Sequence, residues 1–309
     1  MFMAHCKVAS SMPNSTFKYS MRPILPFVET MITYACNLSC AGCTNYSDYN
    51  MKGSVPWAKG KEWLESWTKR LDILDFGIMG GEPTLNPECE QWIYGVRSLL
   101  PNSQIRFTTN GVNFHKNTEV LDWCVDVGNT VFKFTLHEDK PYALQAIAYV
   151  FKKYNWKPIT EYGLNRWVGP NNTRFQINAP LTFSKTYKGN FGSMQPHHNN
   201  PKEAFDMCIQ QTCPLLYESK IYKCSSIALL NKVLDDWKQP ITDEWKSYTD
   251  YEGITTTSTD KAIKQFIQNF GKPNKICSMC PTKKDKDSIV DHRSNVISKK
   301  QWLKLHHVA

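Results

Sequence analysis

Residues 33–47 read TYACNLSCAGCTNYS and place Cys36, Cys40 and Cys43 in a CxxxCxxC pattern, just after an apolar stretch typical of a β-strand. Three thiolates this close together can hold three irons of a [4Fe-4S] cube. The next cysteine is Cys89, so the fourth iron is left open for a bound small molecule. The alternative is a structural zinc site, which needs a fourth Cys or His to complete its tetrahedron.

Two further polar turns follow predicted strands. Residues 73–79 run into Gly80-Gly81-Glu82-Pro83, and residues 104–108 run into Thr109-Asn110-Gly111. Two glycines let the backbone approach a ligand closely, and the neighbouring carboxylate can accept hydrogen bonds from an ammonium group. Each turn, taken alone, is equally typical of an ordinary connection between a strand and a helix.

The cysteine triplet and the two turns, in this order, resemble the radical S-adenosylmethionine (radical SAM) enzyme superfamily. The resemblance implies that Cys36, Cys40 and Cys43 hold a [4Fe-4S] cluster whose open iron binds the amino and carboxylate groups of S-adenosylmethionine. It also implies one-electron reduction by a donor such as flavodoxin or ferredoxin. The resulting 5'-deoxyadenosyl radical then abstracts a hydrogen atom from the substrate.

The same resemblance implies the contacts of S-adenosylmethionine. The turn of Gly80, Gly81, Glu82 and Pro83 is expected to contact its amino group, and Thr109 and Asn110 are expected in the same site. Family members commonly carry an aromatic residue before the third cysteine, where this chain has Gly42. Tyr46 is therefore the candidate contact for adenine.

Predicted strands alternate with predicted helices through the first half of the chain. Such alternation indicates a parallel sheet, whose ligands bind at the carboxyl ends of the strands. The family resemblance makes this α/β fold a partial (β/α)6 TIM-like barrel, with residues 174–178 as a later strand, followed by a small C-terminal α+β cysteine-rich extension. His137 ends the fourth predicted strand, where it either contacts substrate or S-adenosylmethionine or is simply a polar strand end.

A second group of cysteines lies in the last third of the chain. Cys213 and Cys224 flank a hairpin-like segment, and Cys277 and Cys280 form a CxxC pair. Four thiolates brought together in this way suit zinc and an iron–sulfur cluster equally well.

This second group resembles the shortened SPASM, or twitch, extension of radical SAM enzymes. The resemblance implies one auxiliary [4Fe-4S] cluster held by Cys213, Cys224, Cys277 and Cys280. Cys208 has three possible roles: it replaces Cys213 as a ligand, donates a hydrogen atom to a substrate radical, or packs as a small apolar residue.

The expected organisation has three parts. Residues 1–23 form an N-terminal segment, residues 24–195 the radical SAM partial barrel, and residues 196–309 the auxiliary cluster domain with a basic tail. Cysteine-rich composition without a signal peptide or transmembrane run predicts a cytoplasmic protein with no membrane partner.

Positive charge is concentrated at the C-terminal end. The net charge is +9, and residues 261–309 contain 11 Lys and Arg against 3 Asp. Such a segment attracts nucleic acid, but no fold signature for nucleic-acid binding accompanies it, which favours a solvated tail. The rival interpretation from another class is a zinc-stabilised nucleic-acid-binding protein without redox activity.

The expected substrate is a carbohydrate-like small molecule that the enzyme dehydrogenates or epimerises. This expectation depends on the resemblance of the cysteine-bearing hairpin to that of enzymes of glycan biosynthesis. The alternative is modification of a ribosomal peptide. Enzymes of that kind often begin with a leader-binding domain, for which the 23 residues before the first predicted strand are too short.

Overall fold

The computed structural model describes residues 22–40, 42–135, 141–159, 166–178, 183–189 and 194–283. These residues form eleven strands and nine α-helices. The strands are β1 (Ile24–Leu25), β2 (Val28–Met31), β3 (Asp72–Ile73), β4 (Asp75–Met79), β5 (Gln104–Thr109), β6 (Thr130–Thr135), β7 (Lys157–Pro158), β8 (Arg166–Val168), β9 (Arg174–Asn178), β10 (Leu215–Tyr217) and β11 (Lys220–Tyr222). The helices are α1 (Trp57–Thr68), α2 (Cys89–Leu99), α3 (Glu119–Val127), α4 (Pro141–Tyr154), α5 (Pro201–Met207), α6 (Ser225–Ala228), α7 (Leu230–Asp236), α8 (Asp243–Thr249) and α9 (Asp260–Gln268).

Nine of these strands form one mixed sheet in the order β11-β10-β2-β4-β5-β6-β9-β8-β7. The six neighbours from β10 to β9 are parallel. Antiparallel strands are added at both edges, β11 beside β10 and the pair β8 and β7 beside β9. The predicted α/β class is confirmed, but the sheet is mixed rather than purely parallel because a hairpin closes each edge.

The first strand of the cysteine-bearing hairpin belongs to this main sheet. β10 pairs in parallel with β2, with Leu215 opposite Glu29. The hairpin was predicted from local alternation alone, which cannot show that β10 would also find a partner in the first half of the chain. The expected division at residue 195 therefore falls between elements that share one sheet.

The two faces of the sheet differ in polarity. Side chains alternate between the faces along a strand, and one face carries aromatic rings. Phe132 stacks between Phe107 and Phe175, with centroid separations of 5.5 and 5.6 Å. These rings belong to the main hydrophobic core, so the residues between them point to the opposite, polar face.

Helices α1 and α2 pack together through tryptophan. Trp92 of α2 is 1% exposed, its Nε1 donates to Val55 O at 2.9 Å, and its ring meets Trp57 edge-on at 5.1 Å. A Cβ at position 60 of α1 would stand 1.9 Å from the Trp92 ring. Gly60 therefore lets the two helices approach closely, with this indole filling the space between them.

Substituting Trp92 by alanine is expected to lower the free energy of unfolding by about 3–5 kcal/mol, since the change leaves a cavity against α1 and removes a buried hydrogen bond. Urea denaturation followed by circular dichroism measures the effect. The control is Tyr149→Ala on α4, whose side chain is 61% exposed and whose loss should cost less than about 0.5 kcal/mol. Equal losses in the two variants would contradict the packing described for Trp92.

Within the described ranges, none of the helices has the length and apolar character needed to cross a bilayer.

Candidate active site

A cavity lies at the carboxyl ends of the parallel strands and continues down the polar face of the sheet. Its empty space is about 930 Å³ when the open solvent at its mouth is counted. Cys36, Cys40 and Cys43 line it from the loop after β2. The turns after β4 and β5 line the same cavity through Gly80, Gly81, Thr109 and Asn110.

Two of the three thiols, those of Cys36 and Cys43, accept hydrogen bonds from amides. Cys36 Sγ accepts from Leu38 N at 3.4 Å and from Asn110 Nδ2 at 3.5 Å. Cys43 accepts backbone hydrogen bonds from Asn45 and Ser47, and burial together with the nearby Asp48 charge raises its pKa to about 11. These thiols therefore become thiolates only when a cationic partner such as iron offsets the cost of burial.

Glu82 connects the two turns. Its Oε1 accepts from the hydroxyls of Thr84 and Thr109, both at 2.7 Å, and its Oε2 accepts from Asn110 N at 2.8 Å. With 1% of its surface exposed, the carboxylate is fully engaged by protein donors. Glu82 therefore fixes the position of Thr109 and Asn110 relative to Gly80 and Gly81.

The two glycines are required by the closeness of the cysteine loop. A Cβ at Gly81 would stand 2.2 Å from Ala35 O, and one at Gly80 would stand 2.6 Å from Thr33 O. These contacts are to backbone atoms, which cannot move aside as a flexible side chain does. The backbone leading into Cys36 can therefore lie against the turn after β4 only if positions 80 and 81 carry no side chain.

Three of the predicted site residues have other neighbours in the structure. Glu82 was expected to contact an amino group, but its carboxylate binds the neighbouring turn. Pro83 is buried at the start of a short 3₁₀ turn and does not line the cavity. Tyr46 was the candidate for adenine, yet its ring packs against Tyr49 and its hydroxyl donates to Ser226 O at 2.9 Å, away from the cavity wall.

The apolar part of the cavity wall comes from elsewhere in the chain. Leu38, Phe183 and Ile209 line the cavity and pack around Cys40. The flat ring of adenine packs well on apolar surfaces of this kind. Tyr46 was predicted for this role only because it is close to Cys43 in the sequence. His137, the other candidate for this site, lies outside the described residues.

Four cysteines from the last third of the chain also lie close together, and Cys208 rather than Cys213 is among them. Cys208 ends α5, Cys224 precedes α6, and Cys277 and Cys280 lie on a 3₁₀ turn over Lys275–Met279 and at its end. Burial raises the pKa of Cys280 well above its ordinary value, and the charges of Cys208, Cys224 and Cys277 raise it further. That mutual repulsion places all four thiols in one neighbourhood.

Cys213 occupies a different position from these four thiols. It is 2% exposed, packs against Phe27 and Phe270, and lines the main cavity. Within the described residues, the cysteines that lie together are therefore Cys208, Cys224, Cys277 and Cys280, whereas the predicted set had Cys213 in place of Cys208. The physical reason is that β10 pairs with β2, which carries the residue two positions before Leu215 to the end of the main sheet.

Backbone amides point at the second group as well. Gln210 N donates to Cys208 Sγ at 3.2 Å, and Asn274 N donates to Cys277 Sγ at 3.4 Å. Within the described ranges, no three His, Cys, Asp or Glu side chains are spaced to hold a single metal ion. That spacing criterion applies to a single ion, because the ligands of an iron–sulfur cluster stand farther apart than those of one ion.

Sequence reasoning missed the charged residues deeper in the cavity. Glu29 of β2, Arg106 of β5 and Lys133 of β6 line it below the cysteine loop. They alternate with the apolar residues of the other face, and this alternation was the available signal: in β5, Ile105 and Phe107 flank Arg106. The positions where the strands end do not by themselves reveal this polar face.

Comparison with known proteins identifies the domain that contains the first site. Residues 30–161 match the family model described as the radical SAM superfamily. These residues form a radical SAM domain. The matched range includes the three cysteines and both turns, and such a domain implies an enzyme that uses S-adenosylmethionine and a [4Fe-4S] cluster.

Curated relatives share part of this domain. The chain is 31% identical over 101 residues to the mycofactocin maturase MftC of Mycobacterium ulcerans, a match that covers 31% of this chain and 26% of the relative. The MftC of Mycobacterium tuberculosis H37Rv is 31% identical over 81 residues, covering 26% of this chain and 20% of that protein. The chain thus matches no more than about a quarter of the length of these curated relatives.

Solved structures show weaker similarity. BtrN in complex with AdoMet and 2-DOIA is 12% identical with a TM-score of 0.46, over 87% of this chain and 100% of that one. Streptococcus suis SuiB bound to S-adenosylmethionine is 17% identical with a TM-score of 0.32, over 38% of this chain and 25% of that one.

The residues of the first site fit the cofactors that a radical SAM domain implies. Three thiols in one loop, two of them with amide donors, suit iron, which thiolates bind well. Asn45 Oδ1 lines the cavity and, among the described residues, has no hydrogen-bond partner although it is buried. An acceptor left in this state suits the amino group or ribose of a bound cofactor.

Proposed function

We propose that this chain abstracts a hydrogen atom from a peptide substrate, using S-adenosylmethionine bound beside Cys36, Cys40 and Cys43. The observation that carries the proposal is that the cysteine loop and the two turns after β4 and β5 line one cavity. A [4Fe-4S] cluster with S-adenosylmethionine supplies a 5'-deoxyadenosyl radical when reduced. The chain's own residues supply orientation and a space closed to water.

Each part of the site has a proposed role. Gly80 and Gly81 present backbone to the cofactor, and Asn110 holds Cys36 by its side-chain amide while Glu82 fixes the turn. Leu38, Phe183 and Ile209 form the apolar wall for adenine. We further propose that the six parallel strands curve as a partial (β/α)6 barrel. Residues 24–195 are proposed as the radical SAM domain and residues 196–309 as the auxiliary cluster domain, with β10 of the second pairing with β2 of the first.

A peptide is preferred over a carbohydrate for two reasons. The curated relatives are named maturases of mycofactocin, a name that describes the processing of a precursor. The expectation of a sugar depended on a hairpin resemblance, whereas in the structure the first strand of that hairpin is part of the main sheet. Whether the outcome is oxidation or epimerisation stays a prediction for the product analysis.

A second cluster is proposed at Cys208, Cys224, Cys277 and Cys280. It lies close to the first site, because the hydroxyls of Ser225 and Ser226 both donate to Thr44 O, at 3.1 and 3.0 Å. Thr44 follows Cys43 directly, so one short connection joins the two cysteine groups. An auxiliary cluster in this position can accept an electron from a substrate radical, which would make the reaction an oxidation.

The test is anaerobic reconstitution with iron and sulfide, followed by reduction in the presence of S-adenosylmethionine. We expect 5'-deoxyadenosine to form and to increase when a short peptide encoded beside this gene is added, with loss of two hydrogens from that peptide for an oxidation. Mass spectrometry measures both products. Absence of 5'-deoxyadenosine under every reducing condition would overturn the radical reaction, whereas 5'-deoxyadenosine without any peptide product would overturn only the substrate.

A further inference from the structure

Glu29 lies on the floor of the main cavity, below the cysteine loop. It belongs to β2, lines the cavity, and has 9% of its surface exposed. Gly77 of the neighbouring β4 stands opposite it, and a Cβ at that position would come within 2.6 Å of the Glu29 Cβ. The missing side chain at position 77 therefore leaves room for Glu29 on the polar face of the sheet.

The Glu29 carboxyl accepts no hydrogen bond from the residues that the structure describes. The cations nearest to it have other partners, since Arg106 is ion-paired with Asp75 and Lys133 has an interaction of its own. Buried polar side chains nearly always have a partner within the protein. A buried carboxyl that lines a cavity without one suits a group of the molecule that fills the cavity.

The surroundings of Glu29 give it two forms at neutral pH. Burial raises its pKa to about 7, although Arg106 and Lys133 act to lower it, and Asp75 adds a smaller increase. These three are the charged groups that β4, β5 and β6 place around it, and the residue opposite it on β10 is the apolar Leu215. A carboxyl with this pKa takes up a proton and releases it again near the working pH, as a general base must.

Oxidation of the substrate requires a group of this kind. When the 5'-deoxyadenosyl radical takes a hydrogen atom, a new C–H bond forms in 5'-deoxyadenosine and one unpaired electron stays on a substrate carbon. A double bond from that carbon to a neighbouring nitrogen, oxygen or sulfur forms once this second atom loses its proton and one electron leaves. Among the described residues that line the cavity, Glu29 is the one carboxylate.

We propose that Glu29 is the proton acceptor in this step, and takes the proton from the nitrogen, oxygen or sulfur bonded to the radical carbon. The inference rests on the proposed function and accounts for both hydrogens that the substrate loses. One leaves as an atom on 5'-deoxyadenosine and the other as a proton on the Glu29 carboxylate, while the electron passes to the auxiliary cluster of the proposed function. The substrate class is thereby narrowed to a peptide whose reacting carbon is bonded to an N–H, O–H or S–H group.

Lys133 is the rival for this role. Burial lowers its pKa well below the ordinary value, so its amine also takes up a proton readily, and it lines the same cavity. Glu29 is preferred because Lys133 already has an interaction of its own, whereas the carboxyl has no hydrogen-bond donor among the described residues.

The test is a single turnover of the full, reconstituted chain with the short peptide encoded beside this gene. Glu29→Gln keeps the size of the side chain but takes up no proton, so oxidised peptide should fall by about a hundredfold relative to 5'-deoxyadenosine. Glu29→Asp keeps a carboxylate and should retain more of the oxidised product than Glu29→Gln. The matched control, Glu65→Gln on α1, alters a side chain that is 46% exposed and should change this ratio by less than about twofold.

The dependence on pH supplies a second readout. In the wild-type chain, formation of oxidised peptide should rise as the pH increases through about 7, because the ionised carboxylate accepts the proton, and Glu29→Gln should lack this rise. Infrared difference spectra follow the carboxyl itself in the reconstituted chain, without any turnover. A protonated carboxyl band should disappear with a midpoint at about 7 and be weaker in Glu29→Gln, where only Asp48, whose pKa burial also raises to about 7, still contributes.

The outcomes separate this proposal from the proposed function. An unchanged ratio of oxidised peptide to 5'-deoxyadenosine in Glu29→Gln would overturn the role of Glu29 alone, as would loss of oxidised peptide in Lys133→Met but not in Glu29→Gln. A wild-type spectrum with no carboxyl band that titrates near neutral pH would also overturn it, whether or not the variants fold. If the wild-type chain releases no 5'-deoxyadenosine, the proposed function fails and the role of Glu29 fails with it.

Discussion

Replacing Cys43 by alanine is expected to abolish the release of 5'-deoxyadenosine, with a loss of more than about a thousandfold against the wild-type chain. The thiol lies in the main cavity, and two backbone amides, from Asn45 and Ser47, donate to it. Its removal leaves two thiolates for a cube that needs three, so two of the four irons then lack a protein ligand. The reconstituted variant should therefore lose the iron of the first site, or keep it only as a fragment unable to bind S-adenosylmethionine productively.

The matched control makes the same substitution at a cysteine that only packs. Cys89 is buried on α2 in the main hydrophobic core, and burial raises the pKa of its thiol. Cys89→Ala should keep its full iron content and its cleavage of S-adenosylmethionine, with some loss of stability from the small cavity. Iron and sulfide analysis beside the product assay measures both. Retention of cleavage by Cys43→Ala would remove Cys43 from the ligand set.

The first site could be predicted from sequence because its information is local. Cys36, Cys40 and Cys43 fall within one loop, and the turns at Gly80 and Thr109 each end a strand of recognisable pattern. Adjacent parallel strands carry such loops to one edge of a sheet, so order along the chain is enough to bring them together. The structure places all three segments around one cavity.

Side-chain direction could not be predicted in the same way. Tyr46 is close to Cys43 in sequence, but its ring belongs to an aromatic cluster with Tyr49, and only tertiary packing fixes that choice. The sequence predicts that Glu82 accepts a hydrogen bond from an ammonium group. In the structure, the turn at Thr109 supplies its donors instead. In contrast, Arg106 and Lys133 were accessible to sequence reasoning, because alternation along β5 and β6 already separates an apolar face from a polar one.

The second cysteine group shows where such reasoning stops. Cys208 and Cys213 are five residues apart, and spacing alone makes both suitable partners for the CxxC pair. The decision depends on β10, whose pairing with β2 draws Cys213 towards Phe27. The end of α5 meanwhile leaves Cys208 beside Cys224. A long-range strand pairing thus separates Cys213 from the other cysteines, and no local pattern encodes it.

This selection gives the second large expected effect. Cys208→Ser should reduce the iron content of the reconstituted chain from about eight to about four atoms, because one cube loses a ligand while the other is untouched. Cys213→Ser, the matched control, should keep about eight, since Cys213 packs against Phe27 and lines the main cavity rather than the second group. Both substitutions exchange one sulfur for oxygen, at positions five residues apart.

The two variants also differ in which cluster they leave. In Cys208→Ser the remaining irons should belong to the first site, so that addition of S-adenosylmethionine still changes the electron paramagnetic resonance spectrum of the reduced protein. The hydrogen bond from Gln210 N to Cys208 Sγ supports this assignment, because amide donors at sulfur are typical of cluster ligands. Loss of four irons in Cys213→Ser, with full iron content in Cys208→Ser, would restore the original set and show that β10 moves when the cluster binds.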